Sequence, residues 1–416
     1  MRNLIALCIA VLCFGNLNAQ VKKILFLGNS YTYVNDLPQV LKKVALSFDD
    51  TIYTDQNTPG GYQFSQHITN GTSLAKIASN NWDFVVLQEQ SQKPSFPPSQ
   101  VETDVYPYAK ILNDSIKSNY SCTETVFFMT WGRENGDAAN CASYTPLCTY
   151  EGMQQRLRES YMEMADSNKS TTAPVGVAWK KFRDSFPSIG LYSADESHPS
   201  IYGTYLAACV FYVTCYQKSA IGATYIPVGI NSVDALRLQT VATNTVLDSL
   251  SLWRINANKP VANFTYNGGG AINFNNTSTN GLSYFWDFGD GNTSQLQHPS
   301  NIYTSNNTYN VELITFSKDS CFSDTITQSI TVASTGIADI NKGEKLVVYP
   351  NPAVDFVELK TNIEFTHILI VDVMGSVVKQ MPFERRLNIK SLAKGIYFIK
   401  LVKENNTIVT KKFIKQ

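Results

Sequence analysis

Three short apolar runs constrain this 416-residue chain more than any other feature of it. They are Lys23–Leu27, in which Ile24, Leu25, Phe26 and Leu27 follow one another, Phe84–Leu87 and Val126–Met129. Successive strand residues face opposite sides of a sheet, so a strand that is apolar at every position must be covered on both faces. Between and after these runs lie stretches with helical spacing: Leu37–Phe48, preceded by Asp36 as an N-cap, then Gln154–Ala165 and Tyr202–Tyr216. Buried strands alternating with helices specify a parallel sheet within an α/β domain over residues 22–255.

Beyond residue 257 the pattern changes. In 258–333, Val, Ile, Tyr and Phe alternate with Asn, Thr and Ser, and Gly268-Gly269-Gly270 and Asp290-Gly291 mark turns. Short strands with frequent turns predict a β-sandwich. Residues 345–416 are β-rich again, with strands expected at Val347–Tyr349, Val354–Leu359, His367–Val373 and Ile396–Val402, and 334–344 reads as a linker. The N-terminus differs from all of this. Arg2, an apolar run from Leu4 to Phe14 and a small residue at Ala19 form the pattern of a secretory signal peptide over 1–19. The run is too short to span a bilayer. The mature chain would therefore start near Gln20, with an α/β domain over 20–257.

Lys+Arg and Asp+Glu both total 34, which argues against a nucleic-acid binder with a basic footprint. Export favours disulfides. Cys141 and Cys148 are spaced to close a short loop, Cys209 and Cys215 read as buried thiols on a helix, and spacing gives no partner for Cys122 or Cys321. There is no CxxC pair, HExxH, Walker loop or GxSxG elbow, so neither a metal nor a cofactor is expected.

Two local patterns carry chemistry. Gly28-Asn29-Ser30 follows the first buried strand and precedes a helix, which places Ser30 at the carboxyl edge of the sheet, where open α/β folds hold their sites. Backbone N–H groups at such a turn can hold an oxyanion. Asp195-Glu196-Ser197-His198-Pro199 puts a carboxylate three residues before an imidazole, close enough to fix its tautomer. His67, the other histidine of this domain, has no His or Cys at ligand spacing and reads as a surface or helix-face residue.

Taken in order, Ser30 after the first strand and Asp195-x-x-His198-Pro199 before the last helix resemble the SGNH (GDSL-type) hydrolases. Tyr31-Thr32, Trp82–Ser91 and Gly203–Ala208 resemble a secreted branch of them found in Bacteroidetes. The resemblance implies a flavodoxin-like, three-layer α/β/α domain. Ser30 would be the nucleophile, His198 the general base and acid, and Asp195 the orienting carboxylate. It also implies an oxyanion hole built from Ser30, from Gly61 or Gly60, and from a third donor. The usual Asn block is missing, so Gln88 takes that place, or Gln92 by a strict count from Asp83. Trp131 and Arg133, after the next strand, are expected on the rim, either with Trp131 stacking on a sugar and Arg133 contacting an acidic group or as a packed aromatic with a solvated ion pair. The implied activity is a serine esterase, with acetylated carbohydrate as its substrate. The rival readings are a non-catalytic glycan-binding surface protein and a lipase or thioesterase for longer acyl chains.

Tyr284–Gly291, with His298-Pro299 and Tyr309-Asn310-Val311, resembles a PKD domain, an immunoglobulin-like sandwich. Its Asp287 and Asp290 are expected to hydrogen-bond a turn rather than to hold calcium. Val348–Ala353, Asp372–Gly375, Leu392–Phe398 and the Lys411–Lys415 ending resemble the type A sorting domain of the type IX secretion system. That implies passage through the periplasm and across the outer membrane, the secretion machinery as a partner, and release or attachment at the surface.

Overall fold

The computed structural model describes residues 21–269, 271–332, 346–361, 365–373, 375–402 and 408–416. The expected signal peptide and linker lie outside the described residues. Strands β1 (Lys22–Leu27), β2 (Ile52–Asn57), β3 (Phe84–Leu87), β4 (Glu124–Phe128) and β5 (Thr171–Ala173) form one sheet in the order β2-β1-β3-β4-β5, every neighbouring pair parallel. This is the flavodoxin-like order expected from the sequence.

The helices in chain order are α1 (Ser30–Tyr33), α2 (Leu37–Leu46), α3 (Phe64–His67), α4 (Gly71–Ala78), α5 (Pro98–Asp104), α6 (Tyr106–Asn119), α7 (Tyr150–Asn168), α8 (Val175–Ser185), α9 (Ile201–Tyr216) and α10 (Ser232–Leu247). Adjacent residues of β4 show why its run is apolar throughout. The Phe127 ring packs towards Phe64 of α3 at 6.5 Å, whereas Phe128 packs on Phe211 of α9 at 4.8 Å. Phe26 of β1 meets the same Phe211 at 5.5 Å. Helices therefore cover both faces, α9 with α2, α8 and α10 on one and α3 with α4 and α6 on the other. Every residue of α9 from Gly203 to Cys215 is buried, as a helix apolar all round requires. Asp36 stands at the start of α2, but with left-handed backbone (φ 53°) and no capping bond from its side chain.

The two-sheet sandwich of 258–332 has strand orders 300–302/271–276/264–268 and 323–332/307–316/283–287/293–294. Trp286 is its fully buried centre, 5.1 Å from Phe264 and 5.5 Å from Phe274. Asp287 accepts Gly289 N–H at 2.8 Å and Asp290 accepts Asn292 N–H at 2.9 Å, the turn bonding expected of them. The C-terminal domain packs a three-stranded sheet and a four-stranded one around Val357, Ile368, Ile370, Ile399 and Phe413. Beyond the strands foreseen, it contains Val377–Pro382, Arg386–Asn388 and Ile408–Lys415.

Cys141 pairs with Cys148, and Cys209 and Cys215 are buried thiols. Cys122 pairs with Cys321, a bond the sequence left open.

Candidate active site

The chain reverses its direction of travel across the sheet between β1 and β3, and open α/β folds place their ligands outside the carboxyl ends of the strands at such a point. Ser30 emerges there as the first residue of α1. Its turn is built from two neighbours. Asn29 caps the helix, its Oδ1 accepting Tyr31 N–H at 3.2 Å, and Gln88 Oε1 accepts Asn29 N–H and the Thr32 hydroxyl, each at 3.0 Å. Gly28 has to be glycine because a Cβ there would lie 2.7 Å from Gln88 Oε1. Beneath it, buried His67 donates from Nε2 to the Gly28 carbonyl at 3.0 Å, and its Nδ1 meets Ser73 Oγ at 2.7 Å. Burial holds its pKa below the ordinary range, so the ring is neutral. His67 thus braces the serine turn from below; of the two places the sequence offered it, the surface and a helix face, it takes a buried position on α3.

His198 reaches Ser30 from the loop before α9. Its Nε2 lies 2.8 Å from Ser30 Oγ, and its Nδ1 bonds Asp195 Oδ2. Asp195 Oδ1 accepts the backbone N–H groups of His198 at 2.9 Å and Ser197 at 3.2 Å. Desolvation tends to raise the Asp195 carboxyl, but the bonds from the His198 ring and from these two amides outweigh it and hold its pKa below the carboxylate range. An ionised Asp195 keeps the imidazole proton on Nδ1, which leaves Nε2 to accept from the Ser30 hydroxyl.

The remaining predicted residues are placed less uniformly. Gly61 (φ +69°) lines a cavity of about 250 Å³ together with Ser30, His198, Ser91 and Arg133, while Gly60 lies outside its lining. Gln88 is not an oxyanion donor. Fully buried, its Nε2 donates to Asn29 Oδ1 and the Glu89 carbonyl, so the amide is spent holding the serine turn. Gln92 is equally committed, its Nε2 donating to Asp137 at 2.6 Å. Trp131 is not on the rim. It is fully buried, with Tyr31 stacked on one face at 4.7 Å and Trp179 on the other at 3.9 Å, so no sugar can reach either face.

That aromatic stack is a feature the sequence reasoning missed. Tyr31 meets Ser197 Oγ at 2.7 Å and sets its ring edge-on to His198 at 5.5 Å, and Trp131 donates to the Ser197 carbonyl at 3.0 Å. The loop carrying Asp195 and His198 thus rests on Tyr31 and Trp131. Burial raises the Tyr31 phenol, which therefore stays protonated and neutral. The available signal was position, since Tyr31 and Ser197 adjoin the two motif residues. Gln90 and Ser91, which also line the cavity, close the Trp82–Ser91 run. Among the described residues, no group of three or more His, Cys, Asp or Glu is placed to bind a metal.

Comparison with known proteins gives two family matches, the PKD domain over residues 258–332 and the secretion system C-terminal sorting domain over 347–416. No curated protein matches the chain. Similar solved structures include a DUF4886 family protein from Bacteroides uniformis, 18% identical, covering 55% of this chain and 95% of that one (TM-score 0.47). A candidate SGNH hydrolase from Slackia heliotrinireducens is 26% identical over 46% of this chain and 97% of its own (TM-score 0.37). An acetyl xylan esterase from Geobacillus stearothermophilus is 16% identical over 50% and 97% (TM-score 0.33). Among the described residues, no helix is long and apolar enough to cross a membrane. Behind its α/β domain the chain thus carries a PKD domain and a secretion-system sorting domain, the latter marking it for the cell surface or the medium.

Proposed function

We propose that the α/β domain is a serine ester hydrolase with Ser30 as nucleophile, His198 as general base and then acid, and Asp195 as its orienting partner. The observation that carries this reading is the His198 Nε2 to Ser30 Oγ contact of 2.8 Å, with Asp195 on the opposite ring nitrogen. As Ser30 Oγ attacks the ester carbonyl, its proton passes to Nε2, and the imidazolium forms beside the ionised Asp195. The backbone N–H groups of Ser30 and Gly61 take the developing oxyanion. Collapse expels the alcohol, which takes the Nε2 proton, and leaves an acyl ester on Ser30. Water then attacks that ester with His198 as base, releasing the acid and restoring the serine.

A cavity of about 250 Å³ favours a short acyl group over a long chain. With export and a PKD domain, this supports acetylated carbohydrate as the substrate. Residues 1–19 would serve as the signal peptide, with the domain divisions at 257, 333 and 345. The test is acetate release by the full chain from 4-nitrophenyl acetate and acetylated polysaccharides, beside Ser30→Ala and His198→Ala. Both variants should lose on the order of 10⁴-fold in rate. A parent no faster than Ser30→Ala on every ester would overturn the enzyme reading in favour of glycan binding.

A further inference from the structure

Arg133 is the one formally charged residue of known sign that lines the cavity shared by Ser30 and His198. It is held in place but not used up. Among the described residues its single ion-pair contact is Nη1 to Asp137 Oδ1 at 3.3 Å, and its buried Nε has no hydrogen-bond partner. Asp137 keeps its Oδ1 for the arginine but has further partners on Oδ2. That fully buried carboxylate already accepts Gln92 Nε2 at 2.6 Å and Asn140 Nδ2 at 2.7 Å, both shorter than its contact with the arginine. A guanidinium presents five donors in a planar fork that matches a carboxylate through two parallel bonds. Here one terminal nitrogen leans on Asp137, and the side chain keeps about a third of its surface exposed. No Asp or Glu lines the same cavity, so nothing within it competes for the charge.

We propose that Arg133 receives a carboxylate borne by the substrate near the scissile bond, so that the enzyme acts on acidic esters. This rests on the esterase reading above and narrows it. The carboxylate can belong to the alcohol part, as in an acetylated uronic acid polymer, or to the acyl part, as in a hemisuccinate. In either case the guanidinium binds without entering the bond changes, so its effect falls mainly on KM.

The test pairs each acidic ester with a neutral one, using the full chain, Arg133→Met and Arg133→Lys. Acetylated polygalacturonate is set against acetylated xylan, and 4-nitrophenyl hemisuccinate against 4-nitrophenyl acetate. Arg133→Met should lower kcat/KM on one acidic member at least tenfold more than on its neutral counterpart, chiefly through KM. Arg133→Lys should restore part of that preference, and 0.5 M salt should narrow it. The responding pair tells which side of the ester carries the charge. Equal losses on acidic and neutral members of both pairs would make Arg133 a structural residue and overturn the proposal. A second readout separates this from failure of the enzyme reading. In a Ser30→Ala background, binding of galacturonate oligomers or of an alkyl hemisuccinate, measured by calorimetry, should weaken at least tenfold on adding Arg133→Met. Unchanged binding of both there overturns the proposal whether or not the chain hydrolyses esters.

Discussion

Glu89 is fully buried two residues after β3, yet among the described residues no Lys or Arg forms an ion pair with it. Its Oε2 accepts Phe64 N–H at 3.0 Å and its Oε1 accepts Gln90 N–H at 2.6 Å. One carboxyl therefore ties the α3 start, three residues beyond Gly61, to the loop that carries Ser91. Desolvation pushes its pKa up to about 7 against these bonds. Because the folded-state pKa is the higher one, the folded protein holds a proton that the unfolded chain has already released. The resulting stability is complete below about pH 4.5 and is lost as pH rises through 7, a change on the order of 3 kcal/mol. Urea unfolding of the parent and of Glu89→Gln at pH 5 and pH 8 measures it. The parent should lose more stability than the variant between the two, and parallel losses would assign the pH dependence to other groups. At this scale the sequence was legible where a role depends on near neighbours. Ser30, Asp195 and His198 sit in short patterns whose local geometry places them, and the fold brings them together. Trp131 and Gln88 were not legible, because Tyr31 and Trp179 decide where the indole lies, and Asn29 and Thr32 decide where the amide points.

Between elements, the α8–α9 contact supports the site from behind. Gly203, in the first turn of α9, lets that helix close on Trp179 of α8. A Cβ at this position would lie 2.3 Å from Trp179 Cη2 and 2.5 Å from the Leu191 carbonyl oxygen. Neither neighbour can yield. Trp179 is fully buried and stacked on Trp131, and the Leu191 carbonyl accepts Ser200 N–H at 2.9 Å at the base of the loop carrying Asp195 and His198. Gly203→Ala should therefore destabilise the fold by about 1–3 kcal/mol, as overpacking does. It should also lower the proposed ester hydrolysis by disturbing the stack under Ser197. Gly190→Ala, where nothing lies within 4 Å of the added methyl, is the control for both readouts. A thermal midpoint for Gly203→Ala equal to that of Gly190→Ala would refute the packing argument. The existence of α9 was legible from its apolar run. Its close approach to α8 was not, since a glycine inside a helical pattern does not reveal which side chain it makes room for.

Across the whole molecule, a reading by composition alone places the α/β and PKD domains in succession, joined by one crossing of the chain near residue 257. The structure adds a covalent second connection. Cys122, in the turn before β4, is bonded to Cys321 of the PKD domain across a separation of 199 residues. Contacts close by act in the same sense. Asn280 donates to the Ala257 carbonyl at 2.9 Å, the Asn258 amide donates to the Lys169 carbonyl, and Ser121 Oγ lies 3.8 Å from Cys321 Sγ. Two tethers on one module make it a fixed extension of the α/β domain, and the oxidising route outside the cytoplasm is where such a bond persists. No spacing rule could have found it, because partners so far apart in sequence are chosen by the folded surfaces. Replacing both cysteines by serine should cost about 2–5 kcal/mol, the usual range for a native disulfide. It should also let the PKD domain melt separately from the α/β domain. Cys141→Ser with Cys148→Ser opens a loop whose partners are only 7 residues apart, so it should cost less and leave the two domains melting together. Scanning calorimetry of the full chain without reductant distinguishes these outcomes. A Cys122→Ser/Cys321→Ser chain with the parent's midpoint and an unsplit transition would mean that the noncovalent contacts alone hold the two domains as one unit.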